Sequence, residues 1–470
     1  MSAQKRSNAI DALRGYAILT MVLSGAVADT LPAWMYHAQT PPPDHLFRPD
    51  IFGISWVDLV FPFFLFSMGA AMPFSLGSKA EKGVPLRKLL FDSLVRGLQL
   101  AFFAIFIQHM YSFSLSNPQD YRAWFTTLSA FALLFPMFMR LPWQMPAWVH
   151  HAIKVGAYLI AVIMLATVTY ADGKHFDLNY SNIIILLLAN MAMFGSAIYL
   201  LTRTRPWLRV AVLPFIMAIL LCSTDAFNGS WQKALFDFSP FPWLYKFNFL
   251  KYLFIVIPGT IAGEYVREWF IRPATDEARG KEKRTAALLA VLGVVLIVIN
   301  LYGLFSRHLV FNLGATTVLL AVGWLLVRRA ESSFFLLWRK LFRAGALLLL
   351  LGLFFEAFEG GIRKDYATFS YFFVTSGLAF MALMSFSVLC DYFGWHKATS
   401  FLTLSGQNPM IAYVGADMVI YPLFNILGLL PLFFKFCADG WWGLLQGVVI
   451  TALVTMIAMF FSKIKWFWRT

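Results

Sequence analysis

The chain has 470 residues, of which 60% are hydrophobic and only 13% charged, with a mean hydropathy of +0.68. Soluble domains carry about 25% charged residues, so this composition excludes a soluble globular protein and points to one built for a bilayer. The net charge of +14 does not mark a nucleic-acid partner, because Lys and Arg sit in short clusters between apolar runs, as membrane proteins distribute them.

A spanning helix needs about 20 mostly apolar residues. Fourteen segments qualify: 10–29, 57–76, 89–111, 122–140, 148–171, 181–201, 207–224, 249–271, 284–305, 308–327, 341–358, 366–389, 405–428 and 440–461. The expected fold is therefore all-α, a polytopic integral membrane helix bundle of about 14 spans forming one domain over residues 1–470. Lys5 and Arg6, the apolar stretch after them and Ala26-Val27-Ala28 imitate a cleaved signal peptide. Asp11 and Arg14 argue against cleavage, since a signal's apolar region is normally uncharged. With both termini cytoplasmic, the clusters Lys79/Lys82/Arg87/Lys88, Arg279/Lys281/Lys283/Arg284, Arg328/Arg329/Arg339/Lys340/Arg343 and the group Arg203/Arg205/Arg209 all fall inside. On the same reading 272–284 is an inside linker, and the loops 30–56 and 225–248 lie outside.

Charges within a bilayer are costly and mark functional candidates. Asp11 and Arg14, three apart on the first span, share a face and can pair, or Arg14 can hold an anionic ligand. The loop 30–56 is rich in Pro and aromatic residues and carries His37 and His45. Asp58 opens the second span, either as a helix cap or as the acid that sets a loop histidine's tautomer. Pro62 and Pro73 should loosen that helix. Arg96 and Gln99 lie deep in the third span, where Arg96 needs a buried acid or a ligand phosphate. Glu264, Glu356, Glu359 and Asp417 are further acids at membrane level, with Arg363 and Lys364 placed to neutralise Glu356 and Glu359. Gln407, Asn408 and Pro409 open span thirteen, as a cap or as a site for an anion or carbonyl group. Cys222, Cys390 and Cys437 are too widely spaced for a disulfide framework or a zinc site, and no metal-ligand set is apparent.

Asp11-Ala-Leu-Arg14-Gly15, then Asp58-Leu-Val-Phe-Pro62, Ser370-Tyr371, Gly406-Gln-Asn408-Pro-Met-Ile-Ala-Tyr413 and Lys465-Trp-Phe-Trp together resemble the heparan-α-glucosaminide N-acetyltransferase family in its bacterial branch. The resemblance covers roughly residues 5–140, 249–270 and 341–470, with 1–140 and 341–470 the most family-like. It implies a core of about ten helices, leaving 181–224 and 284–327 as two extra hairpins. It also implies an acyltransferase that moves an acetyl group from cytoplasmic acetyl-CoA, a co-substrate rather than a bound cofactor, to an amino or hydroxyl group of an extracytoplasmic sugar or glycan. The family's loop histidine would be the catalytic base, with His37 and His45 both candidates and Asp58 the orienting acid. Asp11, Arg14, Arg96, Gln99 and Asn408 would line the acetyl-CoA channel, with Asp58 expected to line the same cavity and the histidine at its outer mouth. The expected location is the bacterial inner membrane. The expected partners are acetyl-CoA, the acceptor and the bilayer, and a homodimer is left open. The alternative is a sugar or lipid-linked-glycan transporter or flippase, which also places charges in the membrane and breaks its helices.

Overall fold

The computed structural model describes residues 6–139, 145–271, 282–328, 332–437 and 440–469. Lys5, Arg279, Lys281, Arg329 and most of the expected 272–284 linker lie outside them. Among the described residues the fold is all-helical, and the sole β-type pairing is an isolated bridge between Met139 and Trp468. Outward-facing apolar side chains such as Phe215, Val310, Phe354 and Phe358 are 68–90% exposed, as a lipid-facing surface requires.

Among the described residues each of the fourteen expected segments is helical, and twelve helices are long and apolar enough to cross a membrane. The helices used below are α1 Asn8–Ala26, α2 Trp56–Met72, α3 Leu86–Met110, α4 Tyr121–Phe138, α5 Ala147–Thr167, α6 Ile183–Asn190, α7 Pro206–Leu221, α8 Leu253–Ile271, α9 Lys283–Phe305, α10 Leu309–Val327, α11 Ser333–Phe358, α12 Phe369–Ser387, α13 His396–Gln407, α14 Pro409–Gly415, α15 Leu429–Phe436 and α16 Trp442–Lys463. The two that fall short of the expected count are α4 and α7. Helix α4 spends its first turn on Tyr121 and Arg122, and α7 has 16 residues, roughly 24 Å against a hydrocarbon core of about 30 Å. Arg209, expected among the cytoplasmic loop cations, is instead fully buried in α7. Its guanidinium lies 2.9 Å from Glu264 and donates to Thr260, because α7 starts at Pro206 and turns this face inward.

Helix α12 is the hub. Every residue from Ser370 to Ser385 is buried, the pattern of a helix surrounded on all sides. Helices α1, α2, α8, α9 and α11 pack around it. Helices α2 and α8 touch backbone to backbone: a Cβ on Gly259 or Gly263 would come within 2.3 Å of the Phe66 or Ala70 carbonyl, so small residues four apart permit the crossing. The same device joins α1 to α13, where a Cβ on Gly15 would lie 1.9 Å from the Leu402 oxygen and one on Gly406 1.9 Å from the Asp11 oxygen. Pro73 begins a π-helical turn, Pro73–Gly77, which extends α2 rather than ending it.

Candidate active site

Two polar sites lie along α2. The first is at its N-terminal end. Ser55 is the N-cap of α2, and Asp58, three residues on, closes a capping box. Its Oδ2 accepts from the Ser55 N–H at 2.9 Å and from the Ala38 N–H at 3.2 Å. That leaves Oδ1 for His37, whose Nδ1 lies 2.6 Å away. The two readings of Asp58 thus coexist: one carboxylate oxygen caps the helix and the other faces the imidazole. The acid is 2% exposed while the His37 side chain is 39% exposed, so the ring is fixed at its inner nitrogen and open beyond it. With Nδ1–H donated to Asp58, Nε2 keeps a lone pair for chemistry. From the central helix, the Tyr371 hydroxyl donates to the Asp58 carbonyl at 2.8 Å.

The loop that carries His37 is built to hold it. The Tyr36 hydroxyl accepts from the Leu31 N–H at 2.9 Å and donates to the Ala28 carbonyl, and the Tyr36 carbonyl accepts from the Ser55 hydroxyl at 2.5 Å. Partial burial raises the Tyr36 phenol above its ordinary pKa, which keeps it a donor. Gln39 exchanges hydrogen bonds with the backbone of Asp365, and the Gly53 N–H donates to the Ile362 carbonyl at 2.7 Å. These contacts bring Lys364 against the imidazole, its Nζ 3.2 Å from Nδ1 and 3.3 Å from Nε2. Lys364 therefore does not neutralise Glu356 or Glu359. Glu356 faces Arg307 at 2.6 Å, Glu359 accepts from the backbone N–H groups of Phe369 and Ser370, and Arg363 donates to the Pro49 carbonyl.

His45 takes a different position. Its Nε2 lies 3.2 Å from the Asp29 carbonyl, its ring packs edge-on against Tyr36, and its backbone is left-handed at φ 50°. It braces the loop and does not reach Asp58. Nearby, the Arg48 guanidinium hydrogen-bonds Asp44 and holds that carboxyl below its ordinary pKa. His109, at the end of α3, is buried between the Ile105 carbonyl and the Asp177 N–H, apart from His37.

The second site is a cavity of about 620 Å³ toward the other end of α2, between the first turns of α1 and parts of α2, α3 and α6. Arg6, Arg14, Arg96 and Arg469 line it with Asp11, the one carboxylate among its described lining residues. Asp11 pairs more closely with Arg6, at 2.9 Å, than with Arg14, at 3.6 Å. Arg14 donates to the carbonyls of Ser67 on α2 and Gly406 on α13. Phe64, Met68 and Leu100 supply an apolar wall. A separate apolar pocket of about 30 Å³, between Ile18, Met21, Ile184 and Tyr413, shares Phe64 and Leu100 with that wall. Trp468, 4% exposed, also lines the cavity, and among the described residues its indole N–H has no partner.

Of the residues expected to share one channel, Asp11, Arg14 and Arg96 do so. Asp58 belongs to the other site, ten residues and roughly 15 Å up α2 from Met68. Gln99 is not among the lining residues. Asn408 is fully buried between α13 and α14, where it donates to the Trp466 carbonyl at 2.7 Å and accepts from the Trp468 N–H at 3.2 Å. It neither caps with its side chain nor faces the cavity; it pins the tail that supplies Trp468 and Arg469. Sequence reasoning missed Gln39 as a loop clamp and Lys364 as a neighbour of His37, a contact between residues 327 apart.

The chain is thus a polytopic helical membrane protein with a histidine–carboxylate pair at one level and a cationic cavity at another. Residues 6–266 match the model of a family described as a domain of unknown function (DUF5009), and the chain belongs to that family. The matched stretch includes the 181–224 hairpin, which forms α6 and α7. No curated protein matches the chain.

Proposed function

We propose that this protein is a membrane acyltransferase. It takes an acetyl group from acetyl-CoA on the cytoplasmic side and delivers it to an amino or hydroxyl group of a sugar or glycan on the opposite side of a bacterial inner membrane. The observation that carries the reading is the pairing of two unlike sites along one helix: a base held by a buried acid, and a basin of four arginines against one carboxylate. The cavity's residues fit a polyphosphate, since guanidinium groups match phosphate oxygens and the unpartnered Trp468 N–H offers one more donor. The small pocket beyond Phe64 is apolar, as the uncharged arm of such a donor requires, and would have to widen to admit it. The motif resemblance to the heparan-α-glucosaminide N-acetyltransferases points the same way.

In this mechanism Arg14 and Arg96 hold the donor's phosphates. His37 Nε2 removes the proton from the acceptor as it attacks the thioester carbonyl, and Asp58 keeps the ring oriented and balances the imidazolium. His37 then returns the proton to the departing thiolate. Orientation follows from charge: the arginine-lined end is cytoplasmic. The test is release of free thiol when purified protein in lipid nanodiscs receives acetyl-CoA and a panel of amino sugars and glycans. Wild type should release CoA only with an acceptor present, and His37→Ala should lose about 10²–10⁴-fold in rate. A transporter would move the sugar with no thiol release from wild type, and that result would refute the proposal.

A further inference from the structure

We infer that Lys364 is a second catalytic residue: its ammonium donates to the acyl carbonyl oxygen and holds the negative charge that develops there when the acceptor attacks. The inference rests on the acyl-transfer reading and adds to it the group that stabilises the transition state.

Geometry carries the argument. Asp58 already engages His37 Nδ1, so the free lone pair is on Nε2, and the Lys364 ammonium lies 3.3 Å from that atom. The 3.2 Å to Nδ1 is nearly the same, so the ammonium sits against the ring and leaves the Nε2 lone pair, which points outward in the ring plane, open to an acceptor. The acceptor's N–H or O–H takes that lone pair, and the ammonium stands beside it. The ammonium is not committed to a carboxylate. Asp58 Oδ1 is taken by His37 and Oδ2 by the Ser55 and Ala38 N–H groups, and Lys364 forms no carboxylate ion pair among the described residues. Its backbone is held, since the Asp365 N–H donates to Gln39 at 2.7 Å and Arg363 exchanges hydrogen bonds with Thr368. The four-carbon side chain is the part that moves.

The acceptor atom must at once be hydrogen-bonded to Nε2 and in contact with the acyl carbon. A lysine already beside the imidazole, 3.3 Å from Nε2, is within side-chain reach of the carbonyl oxygen of that carbon. The step balances. The acceptor's lone pair forms the new bond to carbon, its proton goes to Nε2, and the carbonyl π pair moves to oxygen and is met by the Nζ–H. Collapse of the tetrahedral species re-forms C=O and expels the thiolate, which takes the proton back from His37. Arg363, the neighbouring cation, cannot substitute, because it is committed to the Pro49 carbonyl and to the face of Phe52.

The experiment is steady-state CoA release by wild type, His37→Ala, Lys364→Met and Lys364→Gln in nanodiscs, at saturating acetyl-CoA over a range of acceptor, with the thermal unfolding of each variant measured beside it. Removing one oxyanion donor costs about 10²–10³-fold in kcat. Lys364→Met should show that loss with acceptor KM changed by less than about threefold and unfolding unchanged. Lys364→Gln, which keeps a donor without the charge, should lose less; it also carries the test if the Met variant fails to insert. If His37→Ala is inactive while both Lys364 variants keep kcat, or lose only acceptor KM, the inference is overturned and the acyl-transfer reading stands. If wild type and His37→Ala release CoA equally, the reading itself falls and the inference falls with it.

Discussion

Replacing Asp58 with Asn tests the link between capping and catalysis. The carboxylate serves three donors: His37 Nδ1 at 2.6 Å through Oδ1, and the Ser55 N–H and the Ala38 N–H at 2.9 and 3.2 Å through Oδ2. An amide has one acceptor oxygen. Two backbone donors on one side outweigh a single imidazole on the other, so the oxygen should stay with Ser55 and Ala38 and the NH₂ should turn to His37. The ring must then accept at Nδ1 and carry its proton on Nε2, where the base's lone pair is needed. The whole general-base contribution, about 10²–10⁴-fold in kcat, should disappear. The lost charge-assisted bond should cost about 1.5–3 kcal/mol of stability, seen as a lowered unfolding temperature. The assay is acceptor-dependent CoA release from nanodiscs, with unfolding followed by tryptophan fluorescence. An Asp58→Asn protein that is less stable but turns over at the wild-type rate would refute the role assigned to the pair.

His45→Ala should keep wild-type turnover within about threefold, because its ring braces the loop through the Asp29 carbonyl and Tyr36; a loss matching that of His37→Ala in the same thiol assay would move the base to His45. Arg96→Gln should raise KM for acetyl-CoA by about 10–100-fold through loss of a charge-assisted contact, with kcat little changed, and wild-type KM should itself climb with added salt; a KM insensitive to both would remove Arg96 from donor binding. Gly15→Ala should destabilise the protein by about 1–3 kcal/mol in thermal unfolding, since the new methyl meets the Leu402 carbonyl at 1.9 Å, and an unchanged transition would show that α1 and α13 can part freely. Phe47→Cys, half exposed on the histidine loop, should react with a membrane-impermeant maleimide in intact cells after Cys222, Cys390 and Cys437 are replaced; labelling only after permeabilisation would reverse the orientation.

The fold was legible because bilayer thickness imposes a length on every span, and apolar runs of that length stand out in this chain. The two shortfalls have local causes. Arg122 takes up apolar length at the start of α4, and α7 ends after 16 residues. The site was legible in its ingredients and not in its assembly. Asp11, Arg14, Arg96, His37 and Asp58 were singled out because each is a charge or base where the membrane or the loop makes it costly or conspicuous. Periodicity within one helix gave the Asp11–Arg14 face. It could not say that Arg6 would be the nearer partner of Asp11, or that Asp58 and Arg96 would serve different sites. Sequence shows only near neighbours, and these pair Lys364 with Glu356 and Glu359. The structure brings it instead to His37 on a neighbouring loop, since the loop clamped by Gln39 lies over the turn before α12. The role of Asn408 is hidden for the same reason: its partners, Trp466 and Trp468, belong to a distant segment.

The tight seam between α1 and α13 bears on how the protein enters the membrane. Arg14 and its carbonyl partner at Gly406 are 392 residues apart. At a synthesis rate of about 5–20 residues per second, on the order of 20–80 s separate the emergence of the two. Through that interval α1 sits in or beside the insertion machinery with a buried-type arginine and a bare glycine face, and α13 is not yet made. Helix α2 arrives early and offers the Ser67 carbonyl, so it can shelter Arg14 on one side only. The open side is where an insertase or chaperone for multi-spanning proteins would have to hold the nascent chain. Truncated translation intermediates ending before His396 should therefore crosslink from α1 to that machinery, and release it once α13 is added.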